Sequence, residues 1–378
     1  MTQEHSTIAW TTKEEIVSQL VEECGARGAS TNLAIKAHDG QKKVAIPPEY
    51  KCFASVFSDE ESQRFPPSRP WDHAIELKPD ALSHLRCKVY PMTREEDEAL
   101  DKFIDKQLLK GYIEPSKSLY ASPFFFVKKK DGKLRPVQDY QALNAWTVKN
   151  QYPLPLIPVL ICDLGGAYIY SKLDVRWGYN NIRIREGDEW KAAFKTKRGL
   201  HQPKVMFFRM SNSPPTFQGF MDDVYYAVIQ KHEAQGTFIR IYMDDIGIAT
   251  KIPSMQAHID AVSDVLQVAQ EHSLYFKLEK CTFHVPSMEY LGLILERTQT
   301  QMDPIKVARV RDWPMPTTVK GVRSFLGFCN YYRAFVQDFL ELALPLNALT
   351  RKGQSSHGEL RNSRRSTYSN SASPVAQC

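Results

Sequence analysis

Apolar residues along the chain switch between helical and alternating spacing, and the switches mark its elements. In "TREEDEALDKFIDKQLLKGYI", Leu100, Phe103, Ile104, Leu108 and Leu109 recur at helical spacing behind a candidate N-cap, Thr93, and an acidic first turn; Gly111 would stop this helix. "SPFFFVKKKDGKLRPVQDY" predicts two strands, residues 124–127 pairing with 134–137 across an Asp-Gly turn. "IYSKLDVRWGYNNIRI" reads as a strand and a turn, and "WKAAFKTKRG" as another strand. "SPPTFQGFMDDVYYAVIQKH" opens on prolines and turns helical, "TFIRIYMDDIGIAT" reads as a hairpin, and "MEYLGLIL" is strand-like. "MQAHIDAVSDVLQVAQEHSLYF" is amphipathic, with Ile259, Val262, Val265, Leu266 and Ala269 on one helical face. Helices packed on a largely antiparallel sheet predict the α+β class.

The flanks carry less pattern. Residues 1–45 read as a loosely ordered leader with at most one short helix, and residues 46–90, Pro-rich in "ESQRFPPSRPWDH", as an extended connector. From residue 351 the chain holds seven Ser, five Lys/Arg and one acid, so residues 353–378 read as a disordered tail.

At 378 residues and 43% hydrophobic the chain can bury two or three subdomains. No basic start leads into an apolar run, and nothing approaches the roughly 20 apolar residues that span a bilayer, so an intracellular, non-secreted protein without a membrane partner is expected. Its seven cysteines are scattered, with no C-x-x-C pair, which favours reduced thiols over disulfides or a zinc site. Residues 101–150 hold ten Lys/Arg against five Asp/Glu, a net +5 that suits a polyanion partner and equally a solvated basic face.

Against that background Asp244 and Asp245 stand out, adjacent between two apolar runs. Asp is common in exposed turns, and that reading stays open for the pair alone. However, tight hairpin turns want Gly or Asn, and Tyr-Met-Asp-Asp offers neither; such local conflicts gather at functional sites. Asp174 closes "YSKLDV" before a run of turn residues, giving a third carboxylate. Three converging carboxylates need cations, and hard oxygen ligands suit Mg²⁺. Two such ions, about 3.5–4 Å apart, serve in-line displacement at phosphorus. "FMDD" repeats the letters, but Phe217, Phe220, Met221, Val224 and Val228 make its segment a helix, so Asp222 and Asp223 read as solvated helix positions.

These residues resemble the reverse transcriptase region of a gypsy-type LTR retrotransposon polyprotein. The likeness covers residues 47–352 through "KGYIEPSKSLYASPFFFVKKKDGKLRPVQDYQALN", "YPLPLIP", "KLDVRWGYNNIRIREGDEWKAAFKT", "YMDD", "KLEKCTFH", "EYLGLIL" and "VRSFLGFCNYYRAF". The resemblance implies a right-hand polymerase with a ferredoxin-like palm: fingers and palm at 91–296 and thumb-like helices at 297–352. It implies RNA-directed DNA polymerase activity, with dNTPs added to a primer on an RNA or DNA template, in the cytoplasm or nucleus. Asp174, Asp244 and Asp245 match the catalytic metal ligands for two Mg²⁺, with Mn²⁺ able to substitute. Lys129 and Arg135 match the pair gripping the triphosphate; Tyr179, Phe208 and Arg209 match the nucleotide site, Tyr179 beneath the sugar; Leu291 and Gly292 match the primer grip.

The chain departs from that pattern at Arg209, where Gly is usual, at Gln141, where Arg is usual, and at Gly247 and Ala249, where larger apolar residues follow the aspartates. No counterpart of the family's protease, ribonuclease H or integrase motifs is visible. Two alternatives follow: a catalytically inactive nucleic-acid-binding remnant, and an RNA-dependent RNA polymerase, which Tyr179 and the Tyr-Met pair disfavour. Oligomeric state is not encoded in any of these motifs.

Overall fold

The computed structural model describes residues 45–128, 132–336 and 338–351, which divide along the chain into two compact units, one ending at Pro286 and the other starting at Ser287. In the first, helix α1 (Arg94–Leu109) starts from a capping box in which Thr93 accepts from the Glu96 N–H and Glu96 from the Thr93 N–H, and it buries Leu100 and Ile104. Leu109 is left 90% exposed. The left-handed backbone at Gly111 (φ 69°) ends the turn.

Five strands follow around this helix: β1 (Ile113–Pro115), β2 (Ser122–Lys128), β3 (Leu134–Gln138) and, after β4 (Ile169–Asp174) has gone to another sheet, β5 (Phe194–Thr196) and β6 (Gly199–Pro203). Their order is β1-β6-β5-β2-β3, with Phe124 opposite Gln138 and Lys128 opposite Leu134 in the β2–β3 hairpin. The strand expected at "WKAAFKTKRG" begins only at Phe194; Glu189–Ala192 is a 3-10 turn instead. Asp188 is the N-cap residue of that turn: its carboxylate accepts from the Ile75 N–H (2.8 Å) and pairs with Lys191, the third residue of the turn.

The second sheet carries the chemistry. Helices α2 (Gln141–Trp146) and α3 (Ile157–Leu164) precede β4; between β4 and β9 (Thr282–Val285) run α4 (Ser213–Glu233), β7 (Thr237–Tyr242), β8 (Asp245–Thr250) and α5 (Met255–Glu271), and the strands lie in the order β7-β8-β4-β9. This is the βαββαβ arrangement of a ferredoxin-like fold. Leu173, Ile239, Ile241, Ile246 and Ile248 cover one sheet face with Phe217, Phe220 and Met221 of α4 and Val262, Val265 and Leu266 of α5, all buried. At about 1.5–3 kcal/mol per buried large apolar side chain, this core rather than helix propensity fixes the sheet beneath the carboxylates. Ser254 caps α5 by accepting from the Ala257 N–H. The segment expected to run as an extended connector holds a 3-10 stretch, Pro48–Phe57, whose Tyr50, Val56 and Phe57 join the same core.

In the second unit, "MEYLGLIL" is not one strand. Ser287–Tyr290 and Leu293–Glu296 form a hairpin around Leu291 (φ 51°) and Gly292 (φ 79°), and Thr300–Met302 adds a third strand. Consecutive left-handed residues are what a two-residue hairpin turn requires, so the Leu-Gly pair breaks an apolar run that has no polar turn signal. Helices Pro304–Arg311, Val319–Tyr331 and Phe339–Ala348 follow, and Val310, Val322, Phe325, Cys329 and Phe339 share a core.

Cys52, Cys87, Cys281 and Cys329 are free thiols. No helix among the described residues is long and apolar enough to cross a membrane. The leader before residue 45 and the tail after residue 351 lie outside the described residues.

Candidate active site

Strand register builds the site. Tyr242 pairs with Asp245 across β7 and β8, leaving Met243 and Asp244 as a two-residue turn. Met243 takes φ 56°, a left-handed state that costs a residue with a β-carbon about 1–2 kcal/mol. The conflict read in "YMDD" is therefore present in the backbone. Its counterweights are local: the Met243 N–H donates to Gln218 Oε1 (2.8 Å), and the Asp244 carbonyl accepts from the Val175 N–H (2.8 Å). On its other edge β8 pairs with β4, which sets Asp174 opposite Asp245. Residues far apart in sequence are thus held side by side by main-chain hydrogen bonds.

Lysines answer the charge. Lys280 donates to Asp174 Oδ2 (3.1 Å), Lys277 stands 3.4 Å from Oδ1, and Lys172 stands 3.0 Å from Asp245. The Asp174 side chain is only 9% exposed, and its Oδ1 accepts no hydrogen bond. Partial burial, with the neighbouring carboxylates of Asp245 and Asp174 adding to it, raises the pKa of Asp244. Burial opposes the charge on Lys280, but its hydrogen bond to Asp174 and the fields of all three carboxylates outweigh that and raise its pKa.

As the side chains stand, no group of three or more His, Cys, Asp or Glu among the described residues is gathered to hold a metal ion. The donor set still fits one chemically: carboxylate oxygens alone, one of them buried without a hydrogen bond, on a backbone that puts Asp174 beside Asp245.

Beside the turn, Tyr179 lies on a 3-10 turn, Gly178–Asn181, with its ring edge-on to Phe208 (5.1 Å between centroids) and Phe217 (5.8 Å). Burial first, then the charge of Asp244, pushes its hydroxyl up to about 12, so it stays neutral. Phe208 is 64% exposed. Arg209 has φ 74°, the conformation that suits the glycine usual there, and its guanidinium lies 5.7 Å from the centre of the Phe125 ring on β2. Asn144 straps this loop, donating to the Arg209 carbonyl (2.8 Å) and accepting from the Ser211 N–H (2.9 Å).

Arg135 is exposed on β3 opposite Val127. Lys129 lies outside the described residues. Leu291 and Gly292 form the hairpin turn of the second unit, where the Leu291 carbonyl accepts from the Tyr331 hydroxyl (2.5 Å). Asp223 is exposed, as expected, but Asp222 is not a simple solvated position: it accepts from the Tyr152 hydroxyl and from Gln218, each at 2.7 Å.

Several of these neighbours were not read from the sequence. Lys172 was legible, since alternation puts it on the face of Asp174 two residues later. Lys277, Lys280, Gln218 and Asn144 arrive through tertiary packing and carry no local signal of their own.

A family model described as reverse transcriptase (RNA-dependent DNA polymerase) matches residues 127–295. The Transposon Tf2-3 polyprotein of Schizosaccharomyces pombe is 34% identical over 312 residues, 82% of this chain and 23% of that polyprotein. The Tf2-7 polyprotein of the same organism is 33% identical over the same length. The chain thus spans 23% of the length of these curated relatives. Among solved structures, the foamy viral protease-reverse transcriptase in complex with RNA/DNA hybrid matches with TM-score 0.69 and 20% identity, over 92% of this chain and 43% of that one. The same viral protein in complex with dsDNA matches with TM-score 0.67 and 21% identity, over 89% and 65% of the two chains. The α+β right-hand polymerase fold is common to this chain and both of those structures.

Proposed function

This chain belongs to the reverse transcriptase regions of gypsy-type LTR retrotransposon polyproteins, and from that membership we propose that it is an RNA-directed DNA polymerase. It adds dNTPs to a primer 3′-hydroxyl on an RNA or DNA template. The observation that carries this reading is the register of β4 and β8, which places Asp174 beside Asp245 at a strained turn that also presents Asp244.

Asp174, Asp244 and Asp245 would hold two Mg²⁺ ions, or Mn²⁺ in their place. Bound there, such cations neutralise the carboxylates and stabilise the charge that develops on the attacking and leaving oxygens of an in-line displacement. The rest falls to the chain itself. Tyr179, neutral and propped by Phe208 and Phe217, sits beneath the sugar, where its ring would collide with a 2′-hydroxyl. Arg135, with Lys129, takes the triphosphate as a planar cationic fork. Leu291 and Gly292 hold the primer, Gly292 because it has no side chain to keep a strand away. Fingers and palm are assigned to residues 91–296 and the thumb to 297–352.

The test is primer extension on poly(rA)/oligo(dT) with Mg²⁺ or Mn²⁺. Incorporation of dTMP that stops without divalent cations supports the proposal, and none under either cation, even with Arg209→Gly, overturns it. A second reading, a nucleic-acid-binding remnant, is favoured by one observation: Arg209 puts a side chain on a left-handed backbone where glycine is usual. Salt-sensitive binding of primer-template without extension would establish it.

A further inference from the structure

Gln218 is completely buried below the Met243–Asp244 turn and divides its amide between two tasks. Its oxygen accepts from the Met243 N–H (2.8 Å), while its nitrogen donates to the Ile241 carbonyl (3.2 Å) and to Asp222 Oδ1 (2.7 Å). The remaining Asp222 oxygen, Oδ2, accepts from the Tyr152 hydroxyl (2.7 Å). Only the amide oxygen can take the Met243 N–H, so the amide must keep its NH₂ side turned away from the turn; Asp222 supplies the acceptor that holds it there. Tyr152 in turn fixes which way the Asp222 carboxylate faces. Met243 has a β-carbon in a left-handed conformation and needs such a restraint. Asp223, one residue on, is exposed and takes no part.

We propose that Tyr152, Asp222 and Gln218 form a positioning relay that holds the Met243–Asp244 turn in its left-handed state and so sets the Asp244 and Asp245 carboxylates. The relay rests on the polymerase reading for its purpose but not for its existence. Its members reach the turn only through the Met243 main chain and are positioning residues. What it requires of Asp222 is two acceptor or donor positions rather than a charge: in Asp222→Asn one oxygen still accepts from Gln218 and the new amide can donate to the Tyr152 oxygen.

Hydrogen–deuterium exchange on the full chain tests it directly. In Asp222→Ala and Tyr152→Phe, exchange at residues 242–245 should rise at least about tenfold, the equivalent of about 1.4 kcal/mol of lost local protection, while the rest of α4 keeps its rate. Asp222→Asn should restore the slow rate, and Asp223→Ala should leave it unchanged. Mn²⁺ affinity measured by electron paramagnetic resonance should follow the same order across the four variants. Unchanged exchange at the turn in Asp222→Ala, or fast exchange in Asp222→Asn equal to that of the alanine variant, overturns the relay. Exchange that behaves as described in a chain that binds no Mn²⁺ keeps the relay and removes the polymerase reading instead.

Discussion

Asp174 and Asp245 are register partners across β4 and β8, yet each carboxylate is answered by a different lysine: Lys280 and Lys277 at Asp174, Lys172 at Asp245. The lysines are then the counter-charge that a bound cation would replace.

Removing them should reveal that exchange. Lys277→Ala combined with Lys280→Ala leaves the nearly buried Asp174 without a cation and should destabilise the chain by about 2 kcal/mol. Millimolar Mg²⁺ should raise the melting temperature of this variant by more than it raises that of the unmodified chain. Equal shifts in the two proteins would mean that the carboxylates do not take the ion.

Arg209 combines a left-handed backbone with a side chain laid toward Phe125. Arg209→Gly removes the side chain and the strain of that backbone, whereas Arg209→Ala removes only the long side chain and keeps the β-carbon strain. The glycine variant should therefore be more stable than the alanine variant by about 0.5–1 kcal/mol, after allowing for glycine's extra freedom when unfolded. It should also raise primer extension at least about tenfold over the unmodified chain. Equal stability of the two variants in urea melts would show that the loop relaxes without cost.

Two buried imidazoles set the acid limit of the fold. Burial lowers the pKa of His258 to about 3, between Ser171 Oγ (2.7 Å) and Thr250 Oγ1 (2.8 Å) with the His284 ring adding to the shift, and lowers that of His73 to about 4 against a partial pull from Asp188. Below the ordinary value of 6.5 the unfolded chain binds protons that the folded chain refuses, so folding stability is full above 6.5 and falls as pH drops toward 4 and then 3. Each histidine contributes up to about 1.4 kcal/mol per pH unit in its window. Urea melts at pH 7.5 and 5 should show the loss, and His258→Gln should reduce it. A flat profile between those pH values would contradict the burial of both rings.

The hairpin of the second unit offers a simpler test of backbone chemistry. Leu291 and Gly292 are both left-handed, and Asn is the residue that best accompanies Gly in such turns. Leu291→Asn should stabilise the unit by about 1 kcal/mol, seen as a higher melting temperature. If Leu291 is the primer grip, the same variant should weaken primer binding, so stability and binding should move in opposite directions.

How much of this was legible in the sequence depends on whether the signal was local. The Thr93 cap, the pairing of β2 with β3 and the amphipathic faces of α4 and α5 were readable, because caps, turns and periodicity act over a few residues. The strain at Met243 was legible as a conflict between turn and residue type. The Leu291–Gly292 turn was hidden, because "MEYLGLIL" looks apolar throughout and only Gly292 hints at a break. Asp222 was misread because helical periodicity says which face a residue occupies, not that Tyr152, seventy residues earlier, bonds to it. The lysines around Asp174 depend on the β4–β9 pairing, which no local pattern announces.

The most direct measurement is single-nucleotide incorporation by Arg209→Gly and by Arg209→Gly/Asp245→Asn on an RNA template with Mg²⁺. Asp245 is a quarter exposed, so its amide variant should fold and bind primer-template as before. Incorporation by the first protein and a loss of at least about 10²-fold in the second, with primer-template affinity unchanged, is the predicted result. Equal rates in the two proteins would contradict a catalytic role for the paired aspartates.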